Sequence, residues 1–270
     1  MLEDHHIGGF SFLTCEQKEE LCEHLRAYTY LRAADICIHV EETYKVCYTV
    51  KGMQALLKHM GFSYKKPKHV PGKTDKQKQE QFIKEYERLM RTKAEEDKVY
   101  FMDGMHPMHN SQPAYGWIKK GEEKQLKANT GRQRLNLNGA YNIEDHKVVI
   151  KEEDRIDANA IVSLLRAIKK RQRQGISHVI LDNAPYNRSR IVQMFVTENP
   201  QIKLIYLPPY SPNLNLIERL WKFFRKNITY NRYYEKFSVF KEESMDFFKN
   251  INIHRNELRS LMTQNFELIC

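Results

Sequence analysis

The stretch LPPYSPNLNLIE, residues 207–218, carries the strongest local signal in this chain of 270 residues. Its three prolines and its serine disfavour regular structure, and they predict a stiff connection between a strand at 203–207 and a helix at 213–226. Apolar residues in that helix recur at spacings of three, four and three, which predicts one buried face. Glu218 lies beside this face in the first turns, where a carboxylate can be held rigidly at the end of a sheet.

Glu218 has two interpretations. It could complete a capping box, with Asn215 as the N-cap of the helix. Two apolar runs favour the other interpretation, because each predicts a buried strand and each ends in an acid, Asp103 or Asp182. Either aspartate alone is also typical of an ordinary turn. Taken together, however, the three acids are placed to converge on one point.

Further residues surround the same acids. His106-Pro107 and Gly116-Trp117 follow Asp103-Gly104, Asn183-Ala184-Pro185 follows Asp182, and 35 residues separate Asp182 from Glu218. With residues 207–221, these segments make the chain similar to the bacterial insertion-sequence transposases of the mariner-related DDE superfamily. The resemblance covers about residues 14–250. It implies an α/β fold with a ribonuclease H-like mixed sheet flanked by helices, preceded by a small all-α helix-turn-helix or winged-helix module.

The resemblance also implies the chemistry. Asp103, Asp182 and Glu218 would hold two Mg²⁺ ions, with Mn²⁺ as a substitute, and Asp103 would bridge both. Carboxylates suit Mg²⁺ because it prefers hard oxygen ligands, and two ions ~3.5–4 Å apart serve the attacking and the leaving oxygen of a phosphodiester. His106 is expected to hydrogen-bond near Asp103, and Asn183 to support the site. The implied reaction is cleavage at transposon ends, followed by transfer of the 3′ ends to target DNA.

The implied partner is double-stranded DNA, namely the terminal inverted repeats of a transposon and a target containing TA. The family also implies a homodimer, and a first N-terminal helix-turn-helix that this chain is expected to lack, since its first predicted helix opens at Thr14. Two alternatives stay open: a catalytically inactive or domesticated DNA-binding protein, and a nuclease of the same fold acting on hybrids. The complete acid triad argues against the first, and the basic helical module against the second.

Positive charge begins abruptly in the N-terminal third. Residues 1–44 carry a net charge of −6 and residues 45–84 carry +8, which favours contact with a polyanion. The third predicted helix, capped by Thr49 and ended by Gly61, lies in this basic region, as a helix entering the major groove would. A packing or dimerisation module with a solvated linker is the alternative. The predicted DNA contacts are Lys51, Gln54, Lys58, Lys65, Lys66, Lys68, Lys73, Arg219 and Lys222.

The sequence pattern divides the chain into four parts. They are a DNA-binding module at 1–64, a basic linker and bridging helix at 65–97, a catalytic domain at 98–250, and a C-terminal helix or tail at 251–270. After a first strand at 99–102, we expect strands at 114–118, 125–128, 135–141 and 147–150. His109 is expected to be exposed, whereas Tyr210 and Trp221 are expected to anchor the core or the loop.

Composition sets the remaining limits. Hydrophobic residues make up 41% of the chain and charged residues 29%, as in globular proteins. No run approaches the ~20 apolar residues of a membrane span, and the first residues lack the pattern of a secretory signal. The five cysteines have no zinc-binding spacing and predict reduced thiols. We therefore expect a cytoplasmic, nucleoid-associated protein with no membrane partner.

Overall fold

The computed structural model describes residues 12–67 and 72–268. The chain divides into two compact units, Met1–His69 and Val70–Cys270. Each unit has its own apolar core.

The described part of the first unit, residues 12–67, is built from three helices, α1 (Cys15–Ala27), α2 (Ala33–Tyr44) and α3 (Val50–His59). The predicted capping box is present, because the hydroxyl of Thr14 accepts from the backbone of Gln17 and the side chain of Gln17 returns the bond. Thr49 caps α3 as predicted. Leu21, Val40 and Met53 are fully buried between the helices. Residues 12–67 contain no strand, so the described part of this unit is all-α.

The second unit is organised around a five-stranded mixed sheet in the order β3-β2-β1-β4-β5. Strand β1 pairs antiparallel with β2 and parallel with β4, while β4 pairs parallel with β5. The predicted mixed α/β sheet is therefore confirmed. The strands are β1 (Lys98–Met105), β2 (Leu137–Asn142), β3 (Val148–Glu152), β4 (Ser177–Leu181) and β5 (Ile202–Tyr206).

Helices cover both faces of the sheet, because alternate residues of its buried strands point to opposite sides. Phe101 of β1 packs in a core with α4, α7, α8 and α9, whereas its neighbours Tyr100 and Met102 pack with α5 and α6. The helices are α4 (Lys76–Thr92), α5 (Ala158–Arg171), α6 (Arg190–Glu198), α7 (Ile217–Ile228), α8 (Phe237–Lys249) and α9 (Arg255–Leu261).

Two predicted strands are wrong. Residues 114–118 and 125–128 belong to an irregular excursion between β1 and β2. Its contacts include a single bridge between Gln112 and Tyr230, and the side chain of Asn231 hydrogen-bonds both the N–H and the C=O of Ala114. Trp117 is fully exposed on this excursion. The alternation of residue types is strand-like, but within the described residues neither stretch joins a ladder of the sheet.

The segments predicted as a bridge and as a tail pack onto the second unit. Phe82 and Tyr86 of α4 lie in the same apolar core as Phe101 of the sheet, and so does Leu258 of α9. The narrow apolar stripe of this predicted bridging helix is its buried face, and the other sides of α4 are in water.

Candidate active site

Two of the three acids lie at the same edge of the sheet. Asp103 is near the end of β1, and Asp182 directly follows β4. These strands are parallel neighbours, and Phe101 pairs with Ile180, two residues before each aspartate. Because adjacent strands are ~4.8 Å apart, the register brings both aspartates level at the carboxyl edge.

Glu218 is held at this edge because a buried amide fixes the loop that precedes it. Asn215 is almost fully buried, and its Nδ2 donates to the carbonyl of Met102 at 3.3 Å, which fastens the loop before α7 beside Asp103. The capping-box interpretation is wrong, because the N-cap of α7 is Leu216 and it makes no side-chain capping bond. Glu218 instead lies close enough to both aspartates for its pKa to depend on them.

Trp221, one turn after Glu218, completes this contact. Its Nε1 donates to Oδ2 of Asp103 at 3.3 Å, and its ring is fully buried. The ring fits because Gly139, the residue of β2 that pairs with Asp103, has no side chain. A Cβ at Gly139 would lie 2.4 Å from Cη2 of Trp221. Trp221 is therefore a core anchor, as predicted, that also orients an acid.

The electrostatics indicate that the acids repel one another. Burial, together with the charges of Glu218 and Asp182, raises the pKa of Asp103 to about 7. Burial also raises the pKa of Glu218, and the charge of Asp182 adds to this effect while Arg225 opposes it. Carboxylates gathered in this way are stabilised as anions by a cation among them.

Asp182 is held by a residue that the sequence did not reveal. Nδ2 of Asn187 donates to Oδ1 of Asp182 at 2.7 Å, and the backbone N–H of Ala184 donates to the same oxygen at 3.1 Å. Asn187 is 4% exposed, inside the short 3-10 turn Pro185–Arg188. The sequence signal that could have identified Asn187 is its position five residues after Asp182, in a turn that begins with a proline.

Asn183 has a different contact from its neighbour Asp182. Its Nδ2 donates to the carbonyl of Leu207, which ties the end of β4 to the end of β5. Its Oδ1 accepts from the guanidinium of Arg188, which lies 4.0 Å from the ring centroid of Tyr206. Asn183 thus fixes the loop that carries Asp182.

The donor set fits magnesium. Within residues 12–67 and 72–268, no three His, Cys, Asp or Glu side chains are close enough to hold one ion by themselves. Mg²⁺ does not require such a cage, since it commonly takes one or two carboxylates and keeps several waters. Asn187 and Asn215, whose amide nitrogens bond beside the acids, also keep buried amide oxygens without a partner in the described structure. Such oxygens suit a hydrated hard cation.

Both histidines differ from their predictions. His106 is exposed, and its Nδ1 pairs with Oδ1 of Asn136 at 2.7 Å, whereas its hydrogen bond was expected near Asp103. His109 was expected to be exposed, yet it is 6% exposed. Its Nε2 bonds the carbonyl of Tyr234 at 2.8 Å, and aromatic rings from the start of α8 pack against it.

The predicted DNA contacts are distributed over both units. Lys51, Gln54 and Lys58 are exposed on α3, on the side away from its buried Met53 and Leu56. Exposed side chains are also found at Lys65, Lys66, Lys73 and Lys222, while Lys68 lies outside the described residues.

Arg219 departs from its predicted role. Its guanidinium donates to the carbonyls of Leu261, Thr263 and Asn265. These bonds fasten the segment after α9, so the structure gives Arg219 a structural role.

Two protein families match this chain. The family described as "DDE superfamily endonuclease" matches residues 98–241, more than half of the chain, and the chain belongs to it. The family described as "Winged helix-turn helix" matches residues 27–86. In the described residues, no helix is both long enough and apolar enough to cross a membrane.

Individual relatives agree with this assignment. The chain is 29% identical over 137 residues to "Insertion element IS630 uncharacterized 39 kDa protein" of Shigella sonnei, a match that covers 50% of this chain and 40% of that protein. The aligned part is thus less than half of that relative. The fold is similar to "Mos1 transposase paired-end complex with left transposon end", with a TM-score of 0.64, 15% identity, and coverage of 96% of this chain and 82% of that one. It is also similar to "Crystal structure of the Mos1 mariner paired end complex with Mn", with a TM-score of 0.62, 16% identity, and coverage of 98% and 83%.

Proposed function

We propose that this protein is a DDE transposase that cleaves phosphodiester bonds at transposon ends and transfers the 3′ ends to target DNA. The observation that carries the proposal is the meeting of Asp103, Asp182 and Glu218 at one edge of the sheet. The structural neighbours support it, because they include a Mos1 transposase complex with a transposon end and Mos1 paired-end complexes with Mn and with Mg. Neither the homodimer nor the TA target is needed for this proposal, and both remain predictions.

Asp103, Asp182 and Glu218 would hold the divalent ions, Mg²⁺ or Mn²⁺. The ions, when bound, supply an activated water or 3′-hydroxyl and neutralise charge at the phosphorus. The chain itself supplies orientation. Trp221 fixes one oxygen of Asp103, and Asn187 fixes one oxygen of Asp182. Because Asp103 and Asp182 each have an oxygen fixed by a buried neighbour, these two acids need little reorganisation when ions and DNA bind.

The exposed basic face of α3 would dock the DNA in this scheme. Lys51 and Lys58 would contact phosphates, and Gln54, which lies between them along the helix, would reach a base edge. Binding and chemistry are then assigned to different units of the chain. This separation lets an experiment remove one and keep the other.

Glu218→Gln tests the acid site, with Glu242→Gln as a matched control on the exposed side of α8. The substrate is a labelled duplex carrying the DNA that flanks the coding sequence, incubated with Mg²⁺ or Mn²⁺. We expect Glu218→Gln to lower the nicking rate by more than ~100-fold, since metal-assisted charge stabilisation contributes several kcal/mol. DNA binding should stay unchanged, and Glu242→Gln should match the wild type.

The products separate the alternatives. Labelled ends joined to a second duplex indicate strand transfer, whereas nicks alone indicate a nuclease. A wild-type protein that binds the duplex and never cuts it would be a non-enzymatic DNA-binding protein. An undiminished rate in Glu218→Gln would reject the assignment of the acid site.

A further inference from the structure

A basic groove lies on the sheet face opposite α7. Two adjoining cavities, about 570 and 470 Å³, run along α5 beside α6 and share Arg166 and Lys170 as lining residues. Among the residues that the structure describes, no aspartate or glutamate lines either cavity. The cations that line them are Lys151, Arg166, Lys169, Lys170 and Arg173. We call this set the α5 groove.

The cations are arranged in a row. Arg166, Lys169 and Lys170 lie in the last two turns of α5, and Arg173 lies two residues beyond its end, so the four charges follow one another along the groove at uneven intervals. A row of this kind suits a ligand with a repeating negative charge, whereas a single phosphate would need converging donors. Duplex DNA presents such a repeat, with one phosphate per ~3.4 Å of axis on each strand.

Neighbouring side chains keep several of these cations in the groove. The guanidinium of Arg166 lies 5.6 Å from the ring centroid of Phe195. Nζ of Lys169 donates to Oδ1 of Asn199, and Nζ of Lys151 donates to Oγ of Ser163. These partners are neutral, so they orient the cations without cancelling their charge.

The groove also begins near the catalytic edge. α5 starts after Asp157, and the preceding residue, Ile156, packs over Gly104, where a Cβ would lie 2.7 Å from its Cδ1. Gly104 follows Asp103 in β1. The helix therefore runs from the edge that holds the acids towards the opposite edge of the sheet.

We propose that the α5 groove binds the sugar-phosphate backbone of duplex DNA, as a contact separate from α3 and from the acids. The identification of the polyanion as DNA rests on the proposed function. The charge and shape of the groove are independent of it. An acidic protein segment is the competing occupant, but the proposed function gives the chain a DNA substrate, so a phosphate backbone is the polyanion expected on a surface of this charge.

The test removes two cations that project freely. Lys170 and Arg173 are exposed, and no ion pair joins either to a carboxylate within residues 72–268. The variant Lys170→Gln/Arg173→Gln is compared with Lys236→Gln/Lys249→Gln, which removes two exposed charges around α8. Binding of the full-length protein to a mixed-sequence duplex is measured without divalent metal over a range of salt concentrations. Cleavage is impossible under these conditions, so the result is independent of whether the acids are catalytic.

We expect the groove variant to reduce the slope of log K against log salt by about two, and to raise Kd about tenfold at low salt. The α8 variant should shift neither by a comparable amount. Equal effects of the two variants would show that only net charge matters, and would overturn the proposal.

Labelled polyglutamate provides the second arm of the experiment. A groove variant that binds polyglutamate more weakly, with an unchanged salt slope for DNA, would assign the groove to an acidic protein instead. Matching unfolding curves for all the proteins exclude a folding defect, because the replaced side chains are on the surface.

Discussion

The two faces of the sheet are built from different residues. The face under α4, α7, α8 and α9 is rich in aromatic rings, whereas the face under α5 and α6 is mostly aliphatic. On the aromatic face, Phe224 stacks on Phe248 with ring centroids 5.1 Å apart, and Trp221 meets Phe248 edge-on at 6.0 Å. Large rings leave few alternative packings, so α7 and its Glu218 have little freedom to move.

The difference separates two tasks. The aromatic face supplies one acid and fixes another through the indole of Trp221. The aliphatic face supplies the cations of the α5 groove and, through the short turn at Pro185–Arg188, the amide that holds Asp182. A disturbance of the first face should therefore affect chemistry and stability together, while a disturbance deep in the second should affect stability alone.

The largest effect is expected from a matched pair of core truncations. Trp221→Ala should lower the free energy of unfolding by about 3–5 kcal/mol, and Leu165→Ala by about 2–5 kcal/mol, because both side chains are fully buried. Nicking by the folded fraction should fall only in Trp221→Ala, because Leu165 touches no acid. Urea unfolding and single-turnover nicking at the same temperature measure the two quantities. Similar losses of nicking activity in both variants would contradict the claim that only the aromatic face affects the chemistry.

An intermediate effect is expected at Gly139. In Gly139→Ala the new methyl group would meet both Trp221 and Ile150 at under 3 Å. Overpacking of this kind typically costs about 1–3 kcal/mol, and here it would also push the indole away from Asp103. Gly131→Ala is the control, since nothing lies within 4 Å of a Cβ there. We expect slower nicking and a lower urea midpoint for Gly139→Ala only, and a wild-type rate would mean that the indole position is unimportant.

The smallest effect on stability, with a clear effect on chemistry, is expected at Asn187. Removing its hydrogen bond to Asp182 in Asn187→Ala should weaken metal-supported nicking by about 10–100-fold, as is common for residues that orient a metal ligand. The Mg²⁺ concentration needed for half-maximal rate should rise. Asn252→Ala, an exposed amide beside α9, serves as the control. A lower maximal rate at an unchanged Mg²⁺ requirement would contradict a positioning role.

Much of the candidate site could be predicted because its signals are local. A short apolar run that ends in an acid marks the end of a buried strand, which is how Asp103 and Asp182 stand out. The proline-rich loop before Glu218 is visible for the same reason, since proline restricts its own backbone and that of the preceding residue. The caps at Thr14 and Thr49 involve residues only three positions apart.

Contacts between distant residues could not be predicted in this way. Residues 114–118 have a strand-like pattern, but a strand forms only where another backbone accepts its hydrogen bonds. The sequence around His109 predicts an exposed residue, because its hydrogen-bond partner, the carbonyl of Tyr234, lies 125 positions later in the chain. The sequence around Arg219 predicts a surface cation. In the fold, the C-terminal segment packs beside it and supplies three carbonyls that accept hydrogen bonds from its guanidinium.

The sequence by itself determined which acids lie at strand ends or follow the rigid loop. It also determined which helices have a threonine as their N-cap. Both are properties of neighbouring residues. Only the tertiary structure decided that Asn215, Trp221 and Asn187 hold those acids in place, and that the cations of α5 form one groove with no carboxylate. Such arrangements depend on which elements lie side by side in the fold, and local patterns do not specify that.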